Sequence, residues 1–101
     1  MTTLIVLFNL KPGVSVAEYE AFARDVDLPI VRKLPSVASF EVLKSSGLLG
    51  GGAAPYQYVE VLEVRDLEQL GKDVSTEQMR AVAGKFRTLA DDPKFIVMSP
   101  I

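Results

Sequence analysis

The sequence predicts an α+β fold with the element order β-α-β-β-α-β in a single domain covering residues 1–101. Three observations predict it. Four short apolar segments have the composition of strands, and two longer segments carry apolar residues at helical spacing. Turn residues separate these segments. A chain of 101 residues also has the usual size of one domain.

The first strand is predicted over residues 3–10 and is apolar on both faces. Lys11-Pro12-Gly13 follows as a turn. Ser15 is the expected N-cap of the first helix, because Glu18 stands at the capping-box spacing.

The first helix carries one apolar stripe at helical spacing, formed by Val16, Tyr19, Phe22, Ala23 and Val26. Proline lacks the backbone N–H that a helix interior needs, so Pro29 is expected to interrupt or restart the helix near Asp27. A short second piece should then run through about Leu34.

The middle of the chain contains two predicted strands. Pro35-Ser36 opens the second strand, which runs through Leu43, and the third strand covers Tyr56 to Val64. The loop from Gly47 to Pro55 contains three successive glycines. It is either a flexible hairpin connection or a lid over a pocket.

The last part of the chain has a short helical turn capped by Asp66 and then a longer helix. Ser75 with Gln78 forms a second capping-box spacing. The helix stripe consists of Met79, Val82, Ala83, Phe86, Leu89 and Ala90. Arg80, Lys85 and Arg87 are expected on its solvated side. Asp91-Asp92-Pro93 should stop the helix, and Phe95 to Met98 should form the fourth strand.

This order is the split βαβ, or ferredoxin-like, pattern. Two helices can cover only one face of a four-stranded sheet, yet the first strand is apolar on both faces. The simplest cover for the second face is the same face of another copy. The sequence therefore predicts a homodimer that pairs through the sheet face, as in a dimeric α+β barrel.

Composition excludes several function classes. Eleven Lys and Arg against thirteen Asp and Glu give a net charge of −2, which argues against a nucleic-acid partner. No segment approaches the roughly 18 apolar residues of a membrane span. The chain contains no cysteine, which fits a reducing, cytoplasmic location.

The chain also contains no histidine. The usual general base, the usual metal ligand and every Ser-His-Asp arrangement are therefore excluded. Because no carboxylate spacing matches a calcium loop, we expect no metal site. Acid–base chemistry would have to use carboxylates, tyrosine, lysine or a bound cofactor, and we expect no cofactor of the chain's own.

Three polar residues stand between apolar neighbours in the predicted strands, namely Asn9, Glu41 and Glu60. Burying such groups is costly unless they are paired or line a wet cavity. If they converge, they line a pocket between sheet and helices, where a carboxylate would have a raised pKa and could act as acid or base. Alternatively, the two glutamates face solvent or form ion pairs across strands.

Asp27 has two compatible interpretations. It can cap the helix that Pro29 restarts, or it can point along the buried stripe, eight residues after Tyr19. We assign the catalytic role to Asp27 and Glu60 as acid/base or orienting groups. The residues expected to bind substrate are Asn9, Tyr19, Glu41, Tyr56 and Tyr58, although the tyrosines could also be core or interface aromatics.

Several short motifs occur in the same order as in a known family. They are Asn9-Leu10-Lys11-Pro12-Gly13, Asp27-Leu28-Pro29, Phe40-Glu41-Val42-Leu43, Gly47-Leu48-Leu49-Gly50 and Pro55-Tyr56-Gln57-Tyr58-Val59-Glu60. With these motifs, nearly the whole chain resembles the RedY-like/HapK family, which is associated with the biosynthesis of prodiginine-type red tripyrrole pigments. The resemblance implies a dimeric α+β barrel and a role in small-molecule biosynthesis.

A looser similarity is to the EthD-like barrels, whose first helix ends in a His-x-Pro segment. The matching stretch here is Asp27-Leu28-Pro29, so Asp27 fills the histidine position, and Ser36 fills a later glycine position. Glu60 matches the cavity-facing glutamate of their third strand. The replaced histidine argues against imidazole-dependent chemistry.

Together these features favour an enzyme that assists a cofactor-free condensation, cyclisation or tailoring step on a pyrrole- or indole-like intermediate. Two alternatives stay open. The chain could be a non-catalytic carrier that holds a labile intermediate, or a cofactor-independent monooxygenase.

Overall fold

The computed structural model describes all residues from Met1 to Ile101. Its elements are β1 (Thr2–Leu10), α1 (Val16–Phe22), a π-helical turn (Ala23–Asp27), α2 (Leu28–Val31), β2 (Val37–Lys44), β3 (Tyr58–Val64), α3 (Leu67–Asp73), α4 (Glu77–Leu89) and β4 (Ala90–Met98).

The four strands form one sheet in the order β2-β3-β1-β4, and all neighbouring strands are antiparallel. This order places β1 and β3 in the centre and β2 and β4 at the edges. Together with the helix positions, it confirms the predicted ferredoxin-like α+β fold.

One sheet face is covered by the helices and carries the core. Its central side chains are Val6 and Phe8 of β1 with Tyr58, Leu62 and Val64 of β3, all buried. The Phe8 ring lies 5.3 Å from the ring of Tyr19 on α1 and 5.0 Å from that of Phe86 on α4. These two contacts pack α1 and α4 on β1. Both are edge-to-face, an arrangement that aromatic pairs prefer.

The opposite sheet face, here called the open face, has no helix on it. Register places Ile5 beside Val61 of β3 and Ile96 of β4, and Leu7 lies beside Val59. The apolar side chains of the open face are Ile5, Leu7, Leu43, Val59, Val61, Ile96 and Met98. Strand β1 is therefore apolar on both faces, as the sequence predicts.

Several boundaries differ from the sequence-based expectation. Helix α2 ends at Val31 instead of continuing to Leu34, and β3 begins at Tyr58. Ser15 caps α1 as predicted, because its hydroxyl accepts a hydrogen bond of 3.0 Å from the Glu18 N–H. The cap of α4 is Thr76, whose hydroxyl accepts from Met79 N–H.

Helix α4 ends at Leu89, and β4 begins at Ala90, so the Asp-Asp-Pro segment lies inside a strand. The strand accommodates it with a register shift opposite Leu7 and Asn9, where Asp92 adopts a φ of 44°. Aspartate tolerates this left-handed conformation better than most residues.

No helix combines the length and the apolar composition that crossing a membrane requires.

Candidate functional site

A cavity of about 170 Å³ lies between the helix-covered sheet face and the helices. Sixteen residues line it, and thirteen of them are hydrophobic. The other three are Asp27, Glu60 and Arg87. The predicted pocket between sheet and helices therefore exists, and both carboxylates singled out in the sequence line it.

The π-helical turn positions Asp27 in this cavity. In the turn, Leu28 N–H donates to Ala23 O, one residue further back than in an α-helix. Buried side chains occur every four residues here, at Tyr19, Ala23, Asp27 and Val31. In an α-helix each such step drifts by about 40° around the axis. The wider turn reduces this drift, so Asp27 stays on the buried side.

The capping role proposed for Asp27 is wrong. Its backbone is helical, with φ −64° and ψ −57°, and its side chain makes no capping hydrogen bond. An N-cap residue has an extended backbone and a side-chain bond to a following N–H. The chain instead passes through Asp27 without leaving the helix, which frees the carboxyl group for the cavity.

Glu60 reaches the cavity from the centre of the sheet. It lies in β3 between Val6 of β1 and Val42 of β2. Side chains alternate along a strand, so Glu60 shares the helix-covered face with Tyr58 and Leu62. Only 6% of Glu60 is exposed.

The carboxyl groups of Asp27 and Glu60, here called the acid pair, lie close enough to shift each other's pKa. Burial raises the pKa of Asp27 to about 6, although the hydrogen bond with Glu60 opposes the rise. Burial, and then the charge and hydrogen bond of Asp27, raise the pKa of Glu60 well above its ordinary range. Two adjacent buried carboxyl groups do not both ionise readily. Because the charge of Asp27 acts on Glu60, Glu60 is the carboxyl group that holds a proton more strongly.

Tyr19 is a buried neighbour of this pair. Burial, followed by the charges of Glu60 and Asp27, raises the pKa of the Tyr19 phenol, so it stays neutral. Its hydroxyl is close enough to lower the pKa of Glu60 slightly. However, neither this hydroxyl nor Oε2 of Glu60 has a hydrogen-bond partner of good geometry.

Tyr58 packs against Tyr19, and their ring centroids are 4.6 Å apart. Its hydroxyl donates a hydrogen bond of 2.7 Å to Glu20. Glu20 also pairs with Lys44 at 3.2 Å and Arg24 at 3.0 Å. Both tyrosines line a second cavity of about 260 Å³ and not the cavity with the acid pair.

None of the five predicted binding residues lines the acid-pair cavity, and the expected convergence with Glu60 is wrong for Asn9 and Glu41. Glu41 is exposed and belongs to the open face, because its neighbour Phe40 occupies the helix-covered face. Asn9 joins strand ends: its amide donates to Pro55 O at 3.1 Å and accepts from Gln57 N–H at 2.9 Å. Tyr56 precedes β3 and lines none of the cavities.

Arg87 is the functional candidate that sequence reasoning missed. It was expected to be a surface residue, and its side chain is exposed, but it lines the acid-pair cavity together with Ala83, Phe86 and Phe95. The available signal was its spacing. Arg87 directly follows a buried stripe residue and lies four residues after Ala83, so it borders the apolar face of α4.

The glycine-rich loop lies outside all three cavities, since none of its residues lines them. Ser45 N–H donates to Gln57 O at 2.8 Å and joins the two ends of the loop. Gly47, Gly51 and Gly52 have positive φ values, which glycine adopts at no steric cost. The loop is thus a hairpin connection between β2 and β3.

Comparison with known proteins gives a family match over almost the whole chain. The family model described as REDY-like protein HapK matches residues 2–101. No curated protein matches the chain. The crystal structure of HapK from Hahella chejuensis is 28% identical, with a TM-score of 0.76, and the alignment covers 100% of this chain and 93% of that one.

Two other solved structures show a shared fold at lower identity. An EthD family protein from Bacillus halodurans is 15% identical with a TM-score of 0.76, and the alignment covers all of both chains. This neighbour confirms the looser similarity to EthD-like barrels. A dimeric ferredoxin-like protein of unknown function from Thermobifida fusca is 14% identical with a TM-score of 0.76, covering 98% of this chain and 90% of that one.

Proposed function

The chain belongs to the REDY-like HapK family, and from this premise we propose that it acts in small-molecule biosynthesis. The cavity would bind a pyrrole- or indole-like intermediate. The acid pair would assist a cofactor-free condensation, cyclisation or related tailoring step. The single observation that supports this proposal is the pair itself, because Asp27 and Glu60 are the only acidic side chains of an otherwise largely apolar cavity.

The pair divides acid and base roles at neutral pH. With a pKa of about 6, Asp27 is a carboxylate that can accept a proton from a substrate carbon or nitrogen. Glu60 keeps its proton and can donate it to the substrate atom that receives the electron pair. Apolar walls exclude water, so these charge-dependent interactions are stronger than in solution. The proposed step therefore moves one proton onto Asp27 and one off Glu60.

The base role can be tested before the natural substrate is known, with 5-nitrobenzisoxazole as a probe. A base removes its ring C–H proton while the ring N–O bond breaks, and a coloured cyanophenolate forms. We expect the protein to accelerate this reaction, with a rate that rises with pH around a midpoint near 6 as Asp27 ionises. Asp27→Asn should lower kcat/KM by about 100-fold or more.

Glu60→Gln should shift the pH midpoint, because the amide cannot share a proton with Asp27. The matched control is Glu68→Gln, the same chemical change at an exposed residue of α3 that lines no cavity, which should leave rate and midpoint unchanged. Circular dichroism checks that each variant is folded. Equal rates in the wild type and folded Asp27→Asn would contradict the proposal.

A carrier function is the second candidate, and the apolar lining of the cavity favours it equally. Binding of indole, followed by calorimetry, measures this property alone. Saturable binding in the wild type, together with no acceleration of the probe reaction over buffer, would support the carrier and contradict the enzyme.

We also propose that two copies pair through the open face. Seven apolar side chains without a helix cover are supporting evidence, since large exposed apolar patches mark interaction sites. The dimeric ferredoxin-like neighbour is consistent with this arrangement. Face-to-face stacking would bury the strands on both sides and would leave the acid-pair cavity on the helix side.

A further inference from the structure

Arg87 is the only cationic side chain that lines the acid-pair cavity. It has no protein partner: the ion pairs of the chain join Arg24 and Lys44 to Glu20 and Lys94 to Asp92, and none involves Arg87. Its guanidinium group also makes no hydrogen bond within the chain, whereas those of Arg32 and Arg65 donate to backbone carbonyl groups.

Arg87 lines the cavity and its side chain is exposed, so the cavity meets solvent there, and we call this part the mouth. Asp27 and Glu60 are buried, and Val6 of β1 separates Glu60 from Phe95 of β4, so we call the part with the two acids the closed end. Phe95 of β4 lines the same cavity and is 60% exposed, so an aromatic ring is also available at the mouth. An exposed phenyl ring and a free guanidinium group in one cavity offer a planar ligand both stacking and a charge-assisted hydrogen bond.

The charges within the cavity set the orientation of a ligand. An anionic group at the closed end would lie next to the Asp27 carboxylate, which disfavours it. At the mouth the same group would meet Arg87, which favours it. The hydrophobic residues between the two ends suit an uncharged ring. A cavity of about 150 Å³ can hold a benzene ring, so one of about 170 Å³ with an open mouth has room for a ring that carries a substituent.

We propose that the ligand is an aromatic organic anion, whose carboxylate or similar group binds Arg87 while its uncharged ring reaches the acid pair. This inference rests on the proposed function in one respect, because it takes the acid-pair cavity as the ligand site. It adds the charge of the substrate and the direction in which it enters.

The experiment compares two probes of nearly equal shape, indole-3-acetate and its neutral analogue indole-3-acetamide. Calorimetry in low salt at pH 7.5 gives both dissociation constants. We expect the wild type to bind the acetate about fivefold more tightly than the amide, and this preference should fall as salt is added. Arg87→Gln should remove the preference, and Arg87→Lys should keep part of it.

The matched control is Arg80→Gln, which removes the same charge two turns earlier on α4 at a residue that does not line the cavity. It should retain the preference. If the wild type binds both probes equally, or if Arg87→Gln keeps the full preference, the inference is wrong while the cavity remains a ligand site. If neither probe binds the wild type, the inference and the proposed binding role of the cavity both fail. The acid–base role is tested separately by the benzisoxazole rates.

Discussion

Asp27 and Glu60 differ in what burial does to them. Burial raises the pKa of both carboxyl groups, and the charge of Asp27 raises the pKa of Glu60 further, so Glu60 holds its proton more strongly than Asp27. In the proposed function, the two groups supply an acid and a base to a chain without histidine.

The raised pKa of Asp27 makes stability depend on pH. The folded state keeps this proton at pH values where the unfolded chain has lost it, so the contribution is complete below about 3.8 and is lost as pH rises through about 6. Asparagine does not ionise, so the Asp27→Asn variant does not lose this stability as the pH rises. We expect the variant to equal the wild type near pH 4 and to be more stable at pH 7.5 by up to about 3 kcal/mol.

Urea unfolding at both pH values measures this difference. Asp25→Asn is the matched control, because Asp25 is exposed two residues earlier in the same π-helical turn, and a surface substitution should change the free energy of unfolding by no more than about 0.5 kcal/mol. A pH-independent difference for Asp27→Asn would show that its carboxyl group is not stabilised in the protonated form.

The two acids of the site could be predicted because each interrupts an apolar pattern. The same reasoning was wrong for Glu41, since β2 carries apolar residues on both faces near it and alternation alone does not say which face the helices cover. Arg87 was missed for the opposite reason. The helical pattern predicts a solvent-exposed side chain at the border of an apolar stripe, but the length of an arginine side chain lets it reach the cavity mouth.

At the scale of elements, the sequence predicts the order of strands and helices because hydrophobic periodicity repeats along each of them. It does not predict the boundaries where tertiary packing decides. Pro29 was expected to interrupt or restart the first helix near Asp27, and a short second piece, α2, does begin at Leu28. The π-helical turn that joins the two pieces was not predicted. Asp92 and Pro93 were expected to precede β4, but they lie within this strand, at its register shift against β1.

The cap of α4 gives a direct test at this scale. Thr76 has the extended backbone of an N-cap and accepts from Met79 N–H, whereas the Ser75 hydroxyl donates to Gly71 O. Thr76→Ala should therefore lower the free energy of unfolding by about 1 kcal/mol. Ser75→Ala should change it by no more than about 0.5 kcal/mol. Urea unfolding of both variants measures these two changes. A larger effect of Ser75→Ala would assign the cap of α4 to Ser75.

At the scale of the whole molecule, the two faces of the sheet have different roles. The helix-covered face carries the core and the candidate site, and the open face is proposed to pair with a second copy. The sequence could predict the pairing only indirectly, from a first strand that is apolar on both faces. No single residue marks it.

Ile96→Lys tests the pairing, because Ile96 lies beside Ile5 on the open face and is 40% exposed. Placing a charge inside the proposed interface should shift the protein from dimer to monomer in light scattering coupled to size exclusion. Val16→Lys is the control, since Val16 is equally exposed, at 40%, but starts α1 on the other side of the sheet. A monomeric wild type, or a dimeric Ile96→Lys variant, would rule out this interface.

The bulge in β4 has a consequence for unwanted association. This strand is an outer edge of the sheet, and its second half, Phe95 to Met98, is apolar and β-prone, a composition that favours fibril-like growth by strand addition. Just before it, Asp92 takes a left-handed backbone and Pro93 offers no N–H to an incoming strand. These two residues remove a backbone donor and the regular strand geometry from this edge, which disfavours edge-to-edge strand addition without involving the open face.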